Sequence, residues 1–283
     1  MTENRALILK FGVLTALLMA LYFPELRSMV ITWSDKKEYS HGFLIPLISG
    51  YVVWLKRDKL RGTPLICNVK GLFMLIAGIV LLIIGNISFE SSIRQYSFIL
   101  SVMGLVYFML GIDMYKTLLF PVGYLLFMIP LPYIVMNSIA VNLRLVNAKA
   151  TYTTLHLLGI PILREGANLE LPNMSLVVAD LCTGILSLVA ITALAVFYAY
   201  ITQKNFISRV ILVLLSIPIA IFSNMLRLIM TVGLAYFYGE RILSKAIHEF
   251  HGTVNFFITV FLLIVAGKFI HKMDIKISKK ALS

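Results

Sequence analysis

Residues 209–235 read RVILVLLSIPIAIFSNMLRLIMTVGLA, an apolar run whose one interior charge is Arg227. An α-helix needs about 20 mainly apolar residues to cross a bilayer, so this run predicts a membrane-spanning helix. An ionised side chain inside such a helix is costly and usually faces a polar interior or a functional cavity. Arg227 is therefore a candidate functional residue. The structural alternative is a side chain that extends to the outer headgroups.

The composition extends this conclusion to the whole chain. The protein has 283 residues, of which 60% are hydrophobic and 13% charged, and its mean hydropathy is +0.93. Soluble domains have about 25% charged residues, so we predict an all-α polytopic membrane protein with one integral membrane domain, residues 1–283. The first apolar run lacks a small-residue cleavage site and is expected to be retained. The eight predicted spans are residues 6–23, 41–55, 71–88, 96–112, 117–136, 178–201, 209–235 and 252–270.

The basic residues predict the orientation of these spans. With both termini inside, the inner segments carry fifteen basic and four acidic residues, and the outer segments carry nine of each. This is the asymmetry that the positive-inside rule describes. Together with Arg227 it accounts for the formal charge of +12, so the charge indicates no nucleic-acid partner.

The longest predicted outer segment is residues 137–175. It follows residues 129–132 (IPLP), which should break the preceding helix. Residues 137–155 mix apolar and polar side chains at helical spacing and predict an amphipathic helix at the membrane interface. Residues 159–172 (GIPILREGANLELP) have the pattern turn, strand, turn, strand and predict a small extracytoplasmic hairpin.

Cys182 follows this hairpin, at the outer, N-terminal end of the sixth span. Free backbone amides and the positive end of the helix macrodipole lower the pKa of a thiol there. The same amides are able to donate to an oxyanion. The alternative is a small packing residue beside Gly184. Cys67 falls in a predicted inner loop, so the two cysteines are not expected to form a disulfide.

Two further residues are predicted at the same membrane face as Cys182. Arg227 lies in the outer half of the seventh span, and Asn224 lies one turn earlier on the same helix face, so the two can share a polar pocket. His248 directly precedes the last span; its alternative is an interfacial histidine without a special role. A thiol, a cation and an imidazole at one face predict a site for acyl transfer.

Other polar residues have a less specific meaning. Ser40 and His41 open the second span at the outer face and, with Asn224, are candidate substrate-binding residues; helix capping is the alternative for the first two. His248 and His251 lie three residues apart, but a zinc site needs at least three firm ligands, so we predict no metal and no other cofactor.

Six segments of the chain form a recognisable set of motifs: YSHGFLIP (39–46), PLP (130–132), LGIP (158–161), ADLCTG (179–184), NMLR (224–227) and HEFHG (248–252). Together they resemble the exosortase/archaeosortase family of multi-pass membrane cysteine transpeptidases, and the resemblance covers most of the chain. It implies that Cys182, Arg227 and His248 are catalytic. His248 is favoured over His251 because the family pattern is a histidine, three residues and then a glycine.

The resemblance also implies a reaction, substrates and a location. Such enzymes cleave C-terminal sorting signals of the PEP-CTERM type from secreted proteins, at the outer face of the cytoplasmic membrane of a prokaryote. The implied partners are the hydrophobic helix of the sorting signal, membrane lipid and an unidentified envelope acceptor. Cys182 would form a thioester, Arg227 would stabilise the oxyanion and His248 would transfer protons.

Two other functions fit parts of the sequence. A transporter or polysaccharide-assembly subunit would use Arg227 to bind an anion, without thiol catalysis. An acyltransferase would use the same three residues on a lipid donor.

Overall fold

The computed structural model describes residues 2–178 and 185–280, and several side chains near helix ends, including that of His248, lie outside this description. The chain separates into two compact units, Met1–Pro132 and Tyr133–Ser283. Short 3₁₀ helices lie at Lys37–Phe43, Leu125–Met128 and Gly239–Leu243. The α-helices are α1 (Thr2–Leu21), α2 (Phe23–Asp35), α3 (Leu44–Leu55), α4 (Arg57–Gly62), α5 (Val69–Ile87), α6 (Ser91–Leu110), α7 (Ile112–Tyr124), α8 (Tyr133–Leu157), α9 (Ile185–Thr202), α10 (Phe206–Tyr238) and α11 (Lys245–Lys280).

The predicted class, an all-α polytopic membrane protein, is confirmed. Within the described residues, α5, α6, α10 and the part of α11 from Phe250 to Asp274 are long and apolar enough to cross a bilayer. The number of such spans rises to six if α1 with α2, and α7 with α8, each count as one broken span. The predicted spans at 41–55 and 178–201 correspond to shorter apolar helices. The count of eight and the orientation stay predictions.

The predicted fifth span, residues 117–136, is not a continuous helix. α7 passes through Pro121 and ends at Tyr124, and the 3₁₀ helix that follows ends at Met128. Residues 129–132 then separate α7 from α8. The prediction of a break at IPLP is therefore confirmed, because proline cannot donate a backbone hydrogen bond and its ring disfavours helix in the preceding residue.

The N-terminal unit is built around the pair α5 and α6, whose backbones nearly touch. A Cβ at Gly104 of α6 would lie 2.6 Å from the Cα of Leu75, and a Cβ at Gly71 of α5 would lie 2.5 Å from the Cα of Phe108. Real Cβ atoms do not approach so closely. Small residues permit this packing, which replaces hydrophobic driving force in a lipid environment.

Buried polar contacts attach the first two helices to this pair. Tyr22, at the break between α1 and α2, is fully buried, and its hydroxyl lies 2.9 Å from the Oγ atoms of Ser97 and Ser101. Glu25 lies one turn after Tyr22, in α2. Its Oε1 accepts a hydrogen bond from Arg94 Nε of α6 at 2.7 Å, and both side chains are mostly buried. These contacts pair the Tyr22 hydroxyl and join Arg94 to Glu25 within apolar surroundings, although Glu25 Oε2 has no hydrogen-bond partner among the described residues.

A small antiparallel sheet opens the C-terminal unit after α8. Its strands are β1 (Leu163–Glu165), β2 (Asn168–Leu171) and β3 (Met174–Val177), in the order β1-β2-β3. The predicted hairpin is thus confirmed, and β3 is an additional strand. Gly166 has a φ of +62° and begins the two-residue turn between β1 and β2, where a type II′ turn favours glycine.

The sheet packs on the helices that carry the candidate site. Leu169 and Leu176 face each other across β2 and β3 and join a core with Leu155 of α8 and with Leu228 and Val232 of α10. This core holds the C-terminal half of α10, through Leu228 and Val232, from one side. The buried leucines of β2 and β3 thus attach the sheet to the helices, whereas Leu163 of β1 is exposed.

The other end of this unit is held by α9, α10 and α11. Leu212 of α10 and Leu263 of α11 form a buried cluster with Ala199 of α9. Gln203, just beyond α9, donates from Nε2 to the carbonyl oxygen of Gly267 at 3.0 Å. α10 has 33 residues and is about 50 Å long, well beyond the ~30 Å hydrocarbon core. These contacts set the register of α10 against α11.

Candidate active site

The structure locates two of the three predicted catalytic residues. Arg227 lies in α10, and His248 lies in the first turn of α11. Cys182 follows β3 and precedes α9, and it lies outside the described residues. Ser40 and His41 belong to a 3₁₀ helix of the N-terminal unit, and their role in substrate binding stays a prediction.

The guanidinium of Arg227 lies against Gly252 of α11. A Cβ at Gly252 would be 3.6 Å from Cζ and Nη2 of Arg227 and 3.7 Å from Nη1. The absence of a larger side chain at this position leaves space for the guanidinium. His248 precedes Gly252 by four residues, which is about 6 Å along the axis and on the same helix face. The fold therefore brings the Arg227 side chain to the face of α11 that carries position 248.

A pocket of about 280 Å³ lies between α10 and α11. This is close to the lower bound of about 300 Å³ for small-ligand sites. The pocket has polar and apolar lining residues, and His251 is one of them; the side chain of His248 lies outside the description. The lining residues are Leu226, Arg227, Met230, Phe250, His251, Val254, Asn255 and Ile258.

Asn224 is buried one helical turn before Arg227. Only 3% of it is exposed, and neither its amide nitrogen nor its oxygen has a hydrogen-bond partner among the described residues. An unpaired buried amide costs about 1–3 kcal/mol, so such groups are rare away from functional sites. The sequence predicted a polar pocket at Asn224 and Arg227; the burial of Asn224 agrees with an interior position, and its substrate-binding role stays a prediction.

A hydrogen-bonded network beneath Arg227 was not predicted from the sequence. Ser223 of α10 donates from Oγ to Asn255 Oδ1 at 2.9 Å, and Thr259 of α11 donates from Oγ1 to Ser223 Oγ at 2.7 Å. Thr259 Oγ1 also lies 2.7 Å from the carbonyl oxygen of Asn255. The available signal was three polar residues within two apolar runs, but their pairing depends on the register of the helices.

A second set of buried polar groups lies on α8. Asn147 is 1% exposed and Thr151 is fully buried, and the side-chain oxygen of each has no hydrogen-bond partner among the described residues. Arg144 lies one turn earlier, and its buried Nε also has no hydrogen-bond partner among the described residues. Positions 144, 147 and 151 share one helix face, so their spacing was the signal available in the sequence. α8 therefore adds polar groups to the interior of this unit.

The arrangement favours an anion. In apolar surroundings a cation attracts negative charge more strongly than it does in water, because the effective dielectric constant is low. Pre-positioned donors of this kind stabilise an oxyanion without reorganisation. Within residues 2–178 and 185–280, no group of three His, Cys, Asp or Glu residues is suitably placed for a metal ion. The expectation of no metal stays a prediction.

A comparison with models of known protein families gives a match over most of the chain. The family model for transmembrane exosortases (Exosortase_EpsH) matches residues 33–265, which include positions 182, 227 and 248. No curated protein and no solved structure matches the chain significantly.

Proposed function

The chain belongs to the transmembrane exosortase family, and from this premise we propose that it is a cysteine transpeptidase of the cell membrane. In this proposal it cleaves C-terminal sorting signals of secreted proteins at the extracytoplasmic face and transfers the proteins to an envelope acceptor. The observation that carries the proposal is the contact of the Arg227 guanidinium with Gly252, one helical turn from His248.

The proposed reaction begins at Cys182. Its thiolate attacks the scissile carbonyl carbon, a C–S bond forms, and the electron pair moves to the carbonyl oxygen. Arg227 stabilises that oxyanion. His248, protonated, gives its proton to the departing amine as the C–N bond breaks and a thioester remains. It then takes a proton from the nucleophilic group of the acceptor, which attacks the thioester and frees Cys182.

The apolar surroundings of Arg227 support this role. Leu226 and Met230 flank it on α10, and Val254 faces the same pocket from α11. Apolar lining of this kind lowers the effective dielectric constant beside the guanidinium, which strengthens its attraction for a developing oxyanion. Arginine also remains charged when desolvated, whereas lysine shifts its pKa readily.

Two histidines near the pocket are separable by mutation. We expect His248→Gln to reduce turnover by at least 100-fold, because general acid–base catalysis contributes about 10²–10⁴-fold. His251→Gln, which alters a pocket wall, should reduce it less than 10-fold. The reverse order would transfer the proton-transfer role to His251 and contradict the role proposed for His248.

The main test compares membrane proteomes of host cells that carry the wild-type protein, Cys182→Ala or Cys67→Ala. Cys67 is the matched control because it is a free, exposed cysteine. It also lies outside the segments that carry the family resemblance. We expect some secreted proteins to keep a hydrophobic C-terminal tail only with Cys182→Ala. Unchanged tails in those cells would reject the nucleophile and favour a transporter, whereas a trapped lipid acyl thioester on Cys182 would favour an acyltransferase.

A further inference from the structure

Asn255 is held in one orientation by contacts across the α10–α11 interface. Its Oδ1 accepts a hydrogen bond from Ser223 at 2.9 Å, and Ser223 accepts one from Thr259 at 2.7 Å. Ser223 and Thr259 are almost fully buried, with 2% and 3% exposed. Because the oxygen end of the amide is fixed to α10, its nitrogen end is directed away from the network.

Asn255 also lines the pocket that contains Arg227. Its amide nitrogen makes no hydrogen bond with the described residues. Unlike the amide of Asn224, this nitrogen is not fully buried. The remaining pocket wall is mostly apolar. The pocket thus combines the N–H donors of Arg227 on α10 and Asn255 on α11 with a mostly apolar lining, which suits a ligand with an oxygen acceptor and an apolar body.

The position of Asn255 favours a peptide as that ligand. It lies ten residues into α11 and inside the segment Phe250–Asp274, which is long and apolar enough to cross a bilayer. A peptide must be extended where a nucleophile attacks it, and its backbone carbonyls then lose their helical partners. At membrane depth each such carbonyl needs another donor. The neutral amide of Asn255 is suited to donate to a neutral backbone carbonyl. Arg227 is then available to stabilise the negative charge that develops on the scissile carbonyl oxygen.

The size of the pocket agrees with a short extended segment. Its volume of about 280 Å³ is close to the lower bound of about 300 Å³ for sites that bind small ligands. An α-helix with its side chains is about 10 Å wide and is too large for this space. The pocket therefore fits a few atoms of backbone with one side chain rather than a whole helix.

We propose that Asn255 is a substrate-binding residue whose side-chain amide donates a hydrogen bond to a backbone carbonyl of the peptide substrate, and that Ser223 positions it. This inference rests on the proposed transpeptidase function. It adds a subsite beside Arg227, defined by Asn255 and the apolar wall at Val254 and Ile258. Asn255 binds substrate in this scheme, and Ser223 acts only through Asn255.

The first experiment is photocrosslinking in living cells. A benzophenone amino acid replaces Val254 in the full-length Cys182→Ala protein, and the adducts are identified by mass spectrometry. We expect adducts with the C-terminal regions of secreted proteins, reduced at least 10-fold by Asn255→Leu. Asn142→Leu is the matched control, because Asn142 is exposed on α8 and donates to the carbonyl oxygen of Ser138 on the same helix; it should leave the yield unchanged.

The second experiment measures cleavage of one such tail-bearing protein by the enzyme in lipid vesicles. Asn255→Leu should lower kcat/KM by about 10- to 100-fold, chiefly through KM, since the bond exists before and during reaction. Asn255→Gln, which keeps a donor, should lose less. Ser223→Ala should lose less than Asn255→Leu, and the double variant no more than Asn255→Leu alone, because Ser223 acts through Asn255.

The outcomes separate this inference from the proposed function and from loss of folding. Alkylation of Cys182 by N-ethylmaleimide in a Cys67→Ala background should be equally fast with Asn255→Leu, since the fold and thiol are unaffected. Adducts with lipid alone, peptide adducts insensitive to Asn255→Leu, or slowed alkylation would overturn the inference. Normal transfer kinetics for Cys182→Ala would instead defeat the proposed function, whatever the crosslinks reveal.

Discussion

Substitution of Gly252 tests the geometry on which the candidate site depends. A Cβ there meets Arg227 at 3.6–3.7 Å, an ordinary van der Waals distance, so Gly252→Ala should fold and keep activity within about 3-fold. Alanine also has a helix propensity better than glycine by about 1 kcal/mol. Valine adds two γ-carbons in a nearly fixed helical rotamer. These extend about 1.5 Å beyond Cβ, so the guanidinium must move by roughly 1 Å.

A displacement of about 1 Å at a catalytic group can cost about 100-fold in rate, so we expect that loss for Gly252→Val. The assay is cleavage of a tail-bearing substrate in lipid vesicles, with thermal unfolding in detergent to establish folding. Gly50→Val is the matched control, because a Cβ at Gly50 has no neighbouring atom within 4 Å. Wild-type activity in Gly252→Val would refute the reasoning, since Arg227 would then not act from its position over Gly252. A large loss in Gly252→Ala would show a closer approach than 3.6 Å.

Three further predictions concern charge and packing. Arg227→Gln should lower kcat by about 100- to 1,000-fold, as the loss of an oxyanion donor does. Arg227→Lys should recover only part of the lost rate, because lysine lacks the planar guanidinium. Steady-state measurements of kcat test both expectations. Gly104→Ala should lower the free energy of unfolding by about 1–3 kcal/mol, because its Cβ would lie 2.6 Å from a backbone carbon of α5; detergent-induced unfolding measures it, and no change would contradict the close packing. Glu25→Gln should cost roughly 3 kcal/mol in the same assay by leaving Arg94 as a buried charge without its carboxylate, and a loss below 1 kcal/mol would contradict that burial.

The candidate site was partly predictable from the sequence. Arg227 was identifiable because a charge within an apolar run is energetically exceptional wherever the run folds. Gly252 was visible only as part of a motif, since its contact with Arg227 depends on how α10 faces α11. The same limit applies to Ser223 and Asn255, which are polar residues of two separate runs until the helices are placed in register.

The sheet shows a different limit. Residues 159–172 were predicted as a hairpin because their turn residues are distinctive. Residues 174–177 were not predicted as a strand, although they form β3. A short apolar run does not reveal by its periodicity whether it is a strand or part of a helix. Only the pairing with β2 decides that it is a strand.

The sequence by itself determined that this is a helical membrane protein, because insertion into a bilayer depends on the apolar content of windows of about 20 residues. The sequence also contains the motifs by which the family was recognised. The tertiary structure decided which faces of α10 and α11 meet and therefore which polar residues share a pocket. The physical reason is that lipid is as apolar as a protein interior. Apolar residues accordingly cover both the buried and the lipid-facing sides, as the exposed Phe250, Phe257 and Phe261 of α11 illustrate, and hydrophobic periodicity alone does not identify the face that packs.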